Sequence, residues 1–254
     1  MDTDRLKGFL LPIAAVLAME AWLRWSNIQS ESLAPPSQVV VALFEALTDG
    51  SMLAATGDTL IGAFTGLVIG TSIGLVLGLL LGLLPPVDRL MEVTIESIRP
   101  IPSVALLPIA LMVFGFGYMM EFTIVAKTCT FATLIMTRSA VRGVEPRLLE
   151  VARALRLSPL ARICKIVIPA ALPRIFIAFR LAAGAALIVA VTVEITMNPL
   201  GLGYAMMTAQ QALRPDLMLA YLVWIGIVGF LWNATLLFAQ RRFFGRAAIV
   251  EGEQ

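Results

Sequence analysis

From Ile61 to Leu84 the chain runs for 24 residues without a charge, "IGAFTGLVIGTSIGLVLGLLLGLL", and in that run Gly62, Gly66, Gly70, Gly74, Gly78 and Gly82 each follow the last by four positions. In water the pattern would undo itself, because an interior glycine costs a helix about 1 kcal/mol against alanine. In hydrocarbon the constraint reverses. Backbone there must satisfy its own hydrogen bonds, so the segment stays helical whatever its propensities, and glycine admits close approach of a second helix. A run of this length fits a bilayer, whose apolar core takes about 20 residues of helix.

The rest of the chain agrees. Of 254 residues 59% are hydrophobic and 14% charged, and the apolar runs predict an all-α polytopic membrane protein, a single transmembrane domain over 1–254 with about six spans. These fall at 8–25, 59–84, 100–117, 120–139, 175–196 and 217–239. The first, "GFLLPIAAVLAMEAWLRW", is long for a signal peptide, carries Glu20 and ends in a belt of Trp and Arg, so it reads as a retained span. Lysine and arginine sort by alternate interval. Arg5 and Lys7 precede span one, Arg89 and Arg99 lie between spans two and three, nine fall from Arg138 to Arg180, and Arg241, Arg242 and Arg246 close the chain. The opposite intervals hold only Arg24 and Arg214. By the positive-inside rule both termini and the 140–174 loop are cytoplasmic, and the acidic 26–58 segment is outside.

The glycines advance about 40° per step and so form a stripe that winds round its helix. It serves either packing against other helices of the same chain or a direct homodimer seam of the GxxxG kind. Enzyme chemistry has little to work with. The sequence has no histidine, its two cysteines Cys129 and Cys164 match neither a disulfide framework nor a metal site, and no serine or cysteine comes with a plausible base. No glycine-rich phosphate loop ends in a lysine. No catalytic or metal-binding residue is therefore assigned, and if the protein spends ATP another chain hydrolyses it.

The informative stretch is "VEPRLLEVARALRLSPLARICKIVIPAALPRI", 144–175. Pro146 suits a first helical residue and Ser158-Pro159 ends the helix it opens, so 146–157 reads as three turns, too short and too charged to span. Leu148, Ala152 and Leu155 share one face, while Arg147, Glu150, Arg153 and Arg156 fill another sector. A second short helix is expected at 159–168, with Pro169 and Pro173 bracketing re-entry into the membrane. On the residues alone this is a basic amphipathic loop suited to anionic headgroups.

The same residues resemble the permease subunits of bacterial binding-protein-dependent ABC importers. The E-A-A, L-G and L-P-x-A-x-P pattern of that family's cytoplasmic loop stands here as Glu150-Val151-Ala152, Leu155 and Ile168-Pro169-Ala170-Ala171-Leu172-Pro173. "LAPPSQVVVAL" (33–43), "IRPIPSVALLPIALMVFGFG" (98–117) and "GLGYAMMTAQQ" (201–211) resemble its external entry segment, third span and last external loop. They point to the branch serving nitrate, sulfonates, taurine and related small compounds. Two residues depart from the pattern: Val151 replaces the middle alanine, and Arg156 stands where glycine is usual.

The resemblance implies a type I importer-like fold in a bacterial inner membrane. It implies a second permease subunit, here a second copy of this chain, two ATPase subunits that hold ATP and Mg, and one extracytoplasmic binding protein. It implies no cofactor on this chain and no nucleic acid partner. The 144–173 loop would couple to the ATPase, with Leu148, Ala152 and Leu155 as anchor, Arg147, Glu150, Arg153 and Arg156 setting orientation, and Pro169 at the return. Two other classes compete: a gradient-driven secondary transporter, for which no convincing repeat and only one deep carboxylate, Glu194, are present, and a non-transporting scaffold.

Lys127 is the basic residue placed deepest within a span, where the resembled family usually has an apolar side chain. A mid-bilayer lysine costs about 2.5–3.5 kcal/mol on insertion scales. It has three readings: an ion pair with Glu194, expected at similar depth; snorkelling to an interface; or, with Glu194 and Pro102, a place on the solute path that attracts an anion.

Overall fold

The computed structural model describes residues 3–26 and 32–244, and every regular element in them is helical. In chain order these are α1 (Thr3–Ser26), α2 (Pro36–Thr48), α3 (Ser51–Leu83), α4 (Pro85–Ile98), a 3-10 turn (Ser103–Leu106) leading into α5 (Leu107–Phe114), and α6 (Tyr118–Arg142). There follow α7 (Pro146–Ala154), α8 (Pro159–Arg162), a π turn (Ile163–Val167), α9 (Ile168–Thr196), α10 (Gly201–Gln211) and α11 (Pro215–Phe244). Proline opens α2, α4, α7, α8 and α11, in the first turn, where a missing N–H leaves no intrahelical bond unmade.

The glycine stripe forms the central seam of the fold, and it lies within this chain. A Cβ on Gly66 would sit 2.5 Å from Val125 Cβ, on Gly74 2.5 Å from the Thr130 carbonyl, on Gly78 2.7 Å from Thr137 Cβ and on Gly82 2.7 Å from Val141 Cβ. Gly62 meets Glu121, and Gly70 meets the Ala126 backbone and Cys129. The partners Glu121, Val125, Cys129, Thr133, Thr137 and Val141 recur every four residues at a constant offset of 59, so α3 and α6 run parallel, ridge against ridge. A four-residue repeat exceeds the 3.6 of a straight helix, and such a seam winds in the right-handed sense.

Parallel pairing obliges the chain to climb back the full length of α3 before α6 begins. Residues 85–114 do this as a broken element: α4 and the 103–114 segment meet at 82°. α4 descends α6 in reverse, with Asp88 at Arg138 and Arg142, Ile95 at Leu134 and the Ile101 carbonyl at Lys127. α9 runs antiparallel to α6 behind a face of Ala178, Ala182, Ala183, Ala186 and Ala190, all fully buried, and Cys129 Sγ lies 3.5 Å from the Ala182 carbonyl. α11 closes the bundle through Trp224 Nε1, which donates to Thr56 Oγ1 at 2.8 Å, and Trp232 Nε1, which donates to the Ala183 carbonyl at 2.9 Å.

Each end of the bundle is tied by buried polar groups. At the Arg142 end Asp88, 2% exposed, accepts from Arg138 Nε at 2.5 Å and from Arg142. At the Tyr118 end Asn198 Nδ2 donates to Glu121 Oε2 at 2.7 Å, the Gly117 N–H donates to Asn198 Oδ1 at 3.0 Å and the Leu202 N–H donates to Thr59 Oγ1 at 2.9 Å. The link before α10 is thereby fastened to α6, and α10 itself to α3.

The expected span list is met in its later members. Among the described residues four helical runs are long and apolar enough to cross a membrane, within Ser51–Leu83, Tyr118–Arg142, Pro159–Gln211 and Pro215–Phe238, and the bent pair makes a fifth. The stretch expected as a straight third span over 100–117 is instead bent, with α5 covering only Leu107–Phe114 of it. The expected first span, 8–25, lies within the helix α1, and part of it, the side chains of 8–10 and 13, falls outside the described residues. Its Glu20 serves α2, accepting from the Ser37 N–H at 3.0 Å and from Arg24 Nε at 2.5 Å. Arg246 lies outside the described residues, as do 27–31 of the expected external segment.

Candidate functional site

α7 stands off the Arg142 end of the bundle on an apolar root. Leu149 packs against the cluster of Ala140, Val141, Val144, Val167 and Ala171, and Ala152 is 1% exposed. The opposite face carries Leu148, Val151, Leu155 and, from α8, Leu160, exposed at 40%, 51%, 65% and 71%. Arg147, Glu150, Arg153 and Arg156 are all exposed beside this stripe. The sequence-expected anchor of Leu148, Ala152 and Leu155 is therefore split. Ala152 faces its own chain, and Val151 takes its place on the outward stripe, because the interior fixes the face to which Ala152 and Leu149 belong.

The helix also ends earlier than expected, at Ala154 rather than 157. Arg156 adopts a left-handed backbone, φ 52°, and the Leu157 N–H reaches back to the Ala152 carbonyl at 3.0 Å while the Arg156 N–H reaches the Arg153 carbonyl at 3.0 Å. This is a Schellman stop with arginine at its C′ residue, where glycine is favoured for want of a Cβ. The arginine costs about 1 kcal/mol there. Arg156→Gly is expected to slow chymotryptic cleavage within 144–158 about fivefold. Equal or faster cleavage would count against the strain.

Beyond the stop, Ser158 Oγ accepts from the Ala161 N–H at 3.3 Å and helix resumes without interruption to Thr196. Pro169 and Pro173 do not bracket a break. Pro169 lies in the first turn of α9 and Pro173 within it. The π turn just before Pro169 shifts the hydrogen-bond register where that proline has no N–H to give. The second half of the loop, from Pro159, is thus helically continuous with α9, whereas α7 is joined to it across the stop at 155–158.

Of the path candidates, Lys127 and Glu194 form no ion pair. Glu194, 1% exposed, accepts from the Gly203 N–H at 2.8 Å and is seated on Gly201, whose φ of 81° and contact with the carboxylate both exclude a side chain. Lys127 instead donates to the Ile101 carbonyl and lies 5.7 Å from the Phe131 ring centroid. Pro102 is exposed at the bend, one residue before Ser103, whose hydroxyl accepts from Thr128 Oγ1 at 2.7 Å. The structure brings Lys127 and Pro102 to one place and puts Glu194 elsewhere.

Residues 70–248 match the family model described as "Binding-protein-dependent transport system inner membrane component". The chain belongs to that family. It is a multi-pass inner-membrane permease of the ABC importer kind. Relatives include a putative aliphatic sulfonates transport permease protein of Bacillus subtilis, 28% identical over 93% of this chain and 86% of the relative. A bicarbonate transport system permease protein of Synechococcus elongatus is 30% identical over 94% and 90%. Among solved structures, an amino acid ABC transporter aligns at TM-score 0.65 and 19% identity, covering 79% of this chain and 98% of that one. The methionine ABC transporter MetNI in an inward-facing form aligns at 0.59 and 18%, covering 73% and 94%. At those identities the two structures carry the fold, a type I permease fold, and nothing more.

Several of this permease's polar residues are not legible in its sequence. Asp88 has a signal, since it follows Pro85-Pro86 in the first turn of a helix, where an acidic residue is favoured. Glu121, Asn198 and Thr59 have none. They come from separate parts of the chain, and only packing shows that they meet.

Proposed function

We propose that two copies of this chain form the membrane path of an importer for a small anionic solute, handed over by an external binding protein. Two separate ATPase subunits hold ATP and Mg and drive it, and this chain binds no cofactor. The observation that carries the reading is the α7 surface: an apolar stripe of Leu148, Val151 and Leu155, edged by Arg147, Glu150, Arg153 and Arg156, on a helix rooted in the bundle and joined by a short stop to a segment continuous with a span. An exposed apolar centre with charged sides is the composition of a protein interface, the charges fixing register. Closure of the ATPases would then bias a two-state rearrangement of the spans. The anionic class is drawn from the sulfonate and bicarbonate permeases to which the chain is similar.

The reading places the Arg142 end and both termini in the cytoplasm, from the arginine distribution. Cysteines introduced at Ser51 or Gln211 are expected to react with impermeant reagents from outside, and one at Arg147 only from inside; the reverse would overturn the orientation. Co-purification with an ATPase subunit, and uptake that requires ATP and the binding protein, test the function itself. Gradient-driven uptake by this chain alone in liposomes would replace it with a secondary transporter.

A further inference from the structure

The bend between α4 and the 103–114 segment leaves residues 99–102 outside any helix. Lys127, which bonds the Ile101 carbonyl, fixes its depth. It stands nine residues into α6, about 13 Å from the Tyr118 end of a helix about 37 Å long. The other end of α4 is held at Arg138 and Arg142, so the break lies well inside the apolar layer rather than at its rim. Irregular backbone at such a depth is tolerated only where protein covers it or water reaches it. This chain does not cover it, for Arg99, Pro100, Ile101 and Pro102 are all exposed, Ile101 at 40%.

The chemistry of the surroundings favours water. Lys127 offers three N–H donors, and the Ile101 carbonyl takes one. Arg99 is offset by Glu96 at 4.0 Å, whereas Lys127 forms no ion pair among the described residues. A dry interface would strand the remaining ammonium donors, which is costly at this depth; water and a passing anion would fill them. We infer that the break lines the aqueous solute path and that Lys127 is a subsite there for the oxyanion group of the solute. This rests on the transport reading above and adds to it the place and the charge of recognition.

The test uses charged thiol reagents on the full chain assembled with its ATPase in membrane vesicles. Cys164, exposed, is replaced by serine, Cys129 is buried and retained, and Ile101→Cys supplies the reporter. Ile101→Cys is expected to react with aqueous 2-sulfonatoethyl methanethiosulfonate, itself a sulfonate, faster than with the trimethylammonium analogue. That preference should fall about tenfold in Lys127→Met and return in Lys127→Arg, while a Ser51→Cys reporter shows no change. A purely structural tie to Ile101 would not move the ratio. The site is overturned if Ile101→Cys reacts with neither reagent while Ser51→Cys does, or if the ratio is the same in Lys127→Met. Should Lys127→Met not assemble, the ratio at Ile101→Cys against that at Ser51→Cys decides: equal ratios overturn the proposal. Assembly with the ATPase is scored in the same vesicles, so a permease that assembles but has a sealed break refutes this site alone.

Discussion

Gly74→Leu is expected to abolish assembly of the bundle. A Cβ at this position would lie 2.5 Å from the Thr130 carbonyl and 2.9 Å from Thr133 Cβ. The first of these is backbone, which cannot rotate away as a side-chain tip can. α3 and α6 would have to part, and because the seam is continuous the rungs at Gly70 and Gly78 would open with it. Overpacking one core site costs about 1–3 kcal/mol, and a change that also unzips its neighbours lies at or above the top of that range. The control is in the same chain: Gly226 in α11 has nothing within 4 Å of where its Cβ would stand, and Gly226→Leu is expected to fold. Monodisperse yield on size exclusion checks this. Equal yields for the two variants would remove the seam from its central place.

Leu155→Asp separates folding from coupling. Leu155 is 65% exposed on the outward stripe, so a charge there leaves the fold intact and falls in the middle of the apolar contact. Loss of a central interface residue is worth about 2 kcal/mol, and co-purification with the ATPase should drop about 30-fold at unchanged permease yield. Glu150→Lys should do less, since it sets like charges beside Arg147 and Arg153 at the rim and alters orientation rather than the anchor. Ala152→Asp should fail in the opposite manner, lowering yield itself, because it puts a charge at a position only 1% exposed. Normal uptake in Leu155→Asp would detach α7 from energy transfer.

The glycine stripe is legible because its period is written in the sequence, although which helix it meets is not. Glu121 to Val141 repeats every four residues too, but only two of those six partners are small hydroxyl residues and none is glycine, so the matching ridge carries no compositional flag. α4 reads as a loop because Asp88, Arg89, Glu92 and Glu96 break up its apolar run. Those charges are compatible with the fold because Arg138 and Arg142 meet Asp88 and Arg138 comes within 3.6 Å of Glu92, a pairing between segments some fifty residues apart. A hydropathy window also cannot see a bend, so the 82° break inside the third span is invisible to it. On α7 the periodicity groups Leu148, Ala152 and Leu155 correctly as near neighbours, but the arc facing the protein is set by Val167 and Ala171 on the far side of the loop.

The constant offset of 59 residues between the two sides of the seam has a consequence for biogenesis. α3 emerges from the ribosome with its glycines uncovered, and no rung can close until the matching stretch of α6 has been made. At about 5–20 residues per second that is a wait of roughly 3–12 s for each rung. During it the helix is stable in the bilayer yet has no partner, and other glycine-rich helices of the membrane are competitors for its stripe. Because the helices are parallel, closure then proceeds from the Gly62 rung toward Gly82 in the order of synthesis, provided that α4 and α5 have already inserted as the return. A nascent chain stalled before Cys129 would hold only the first rungs, and it is at that stage that the permease is most exposed to membrane quality control.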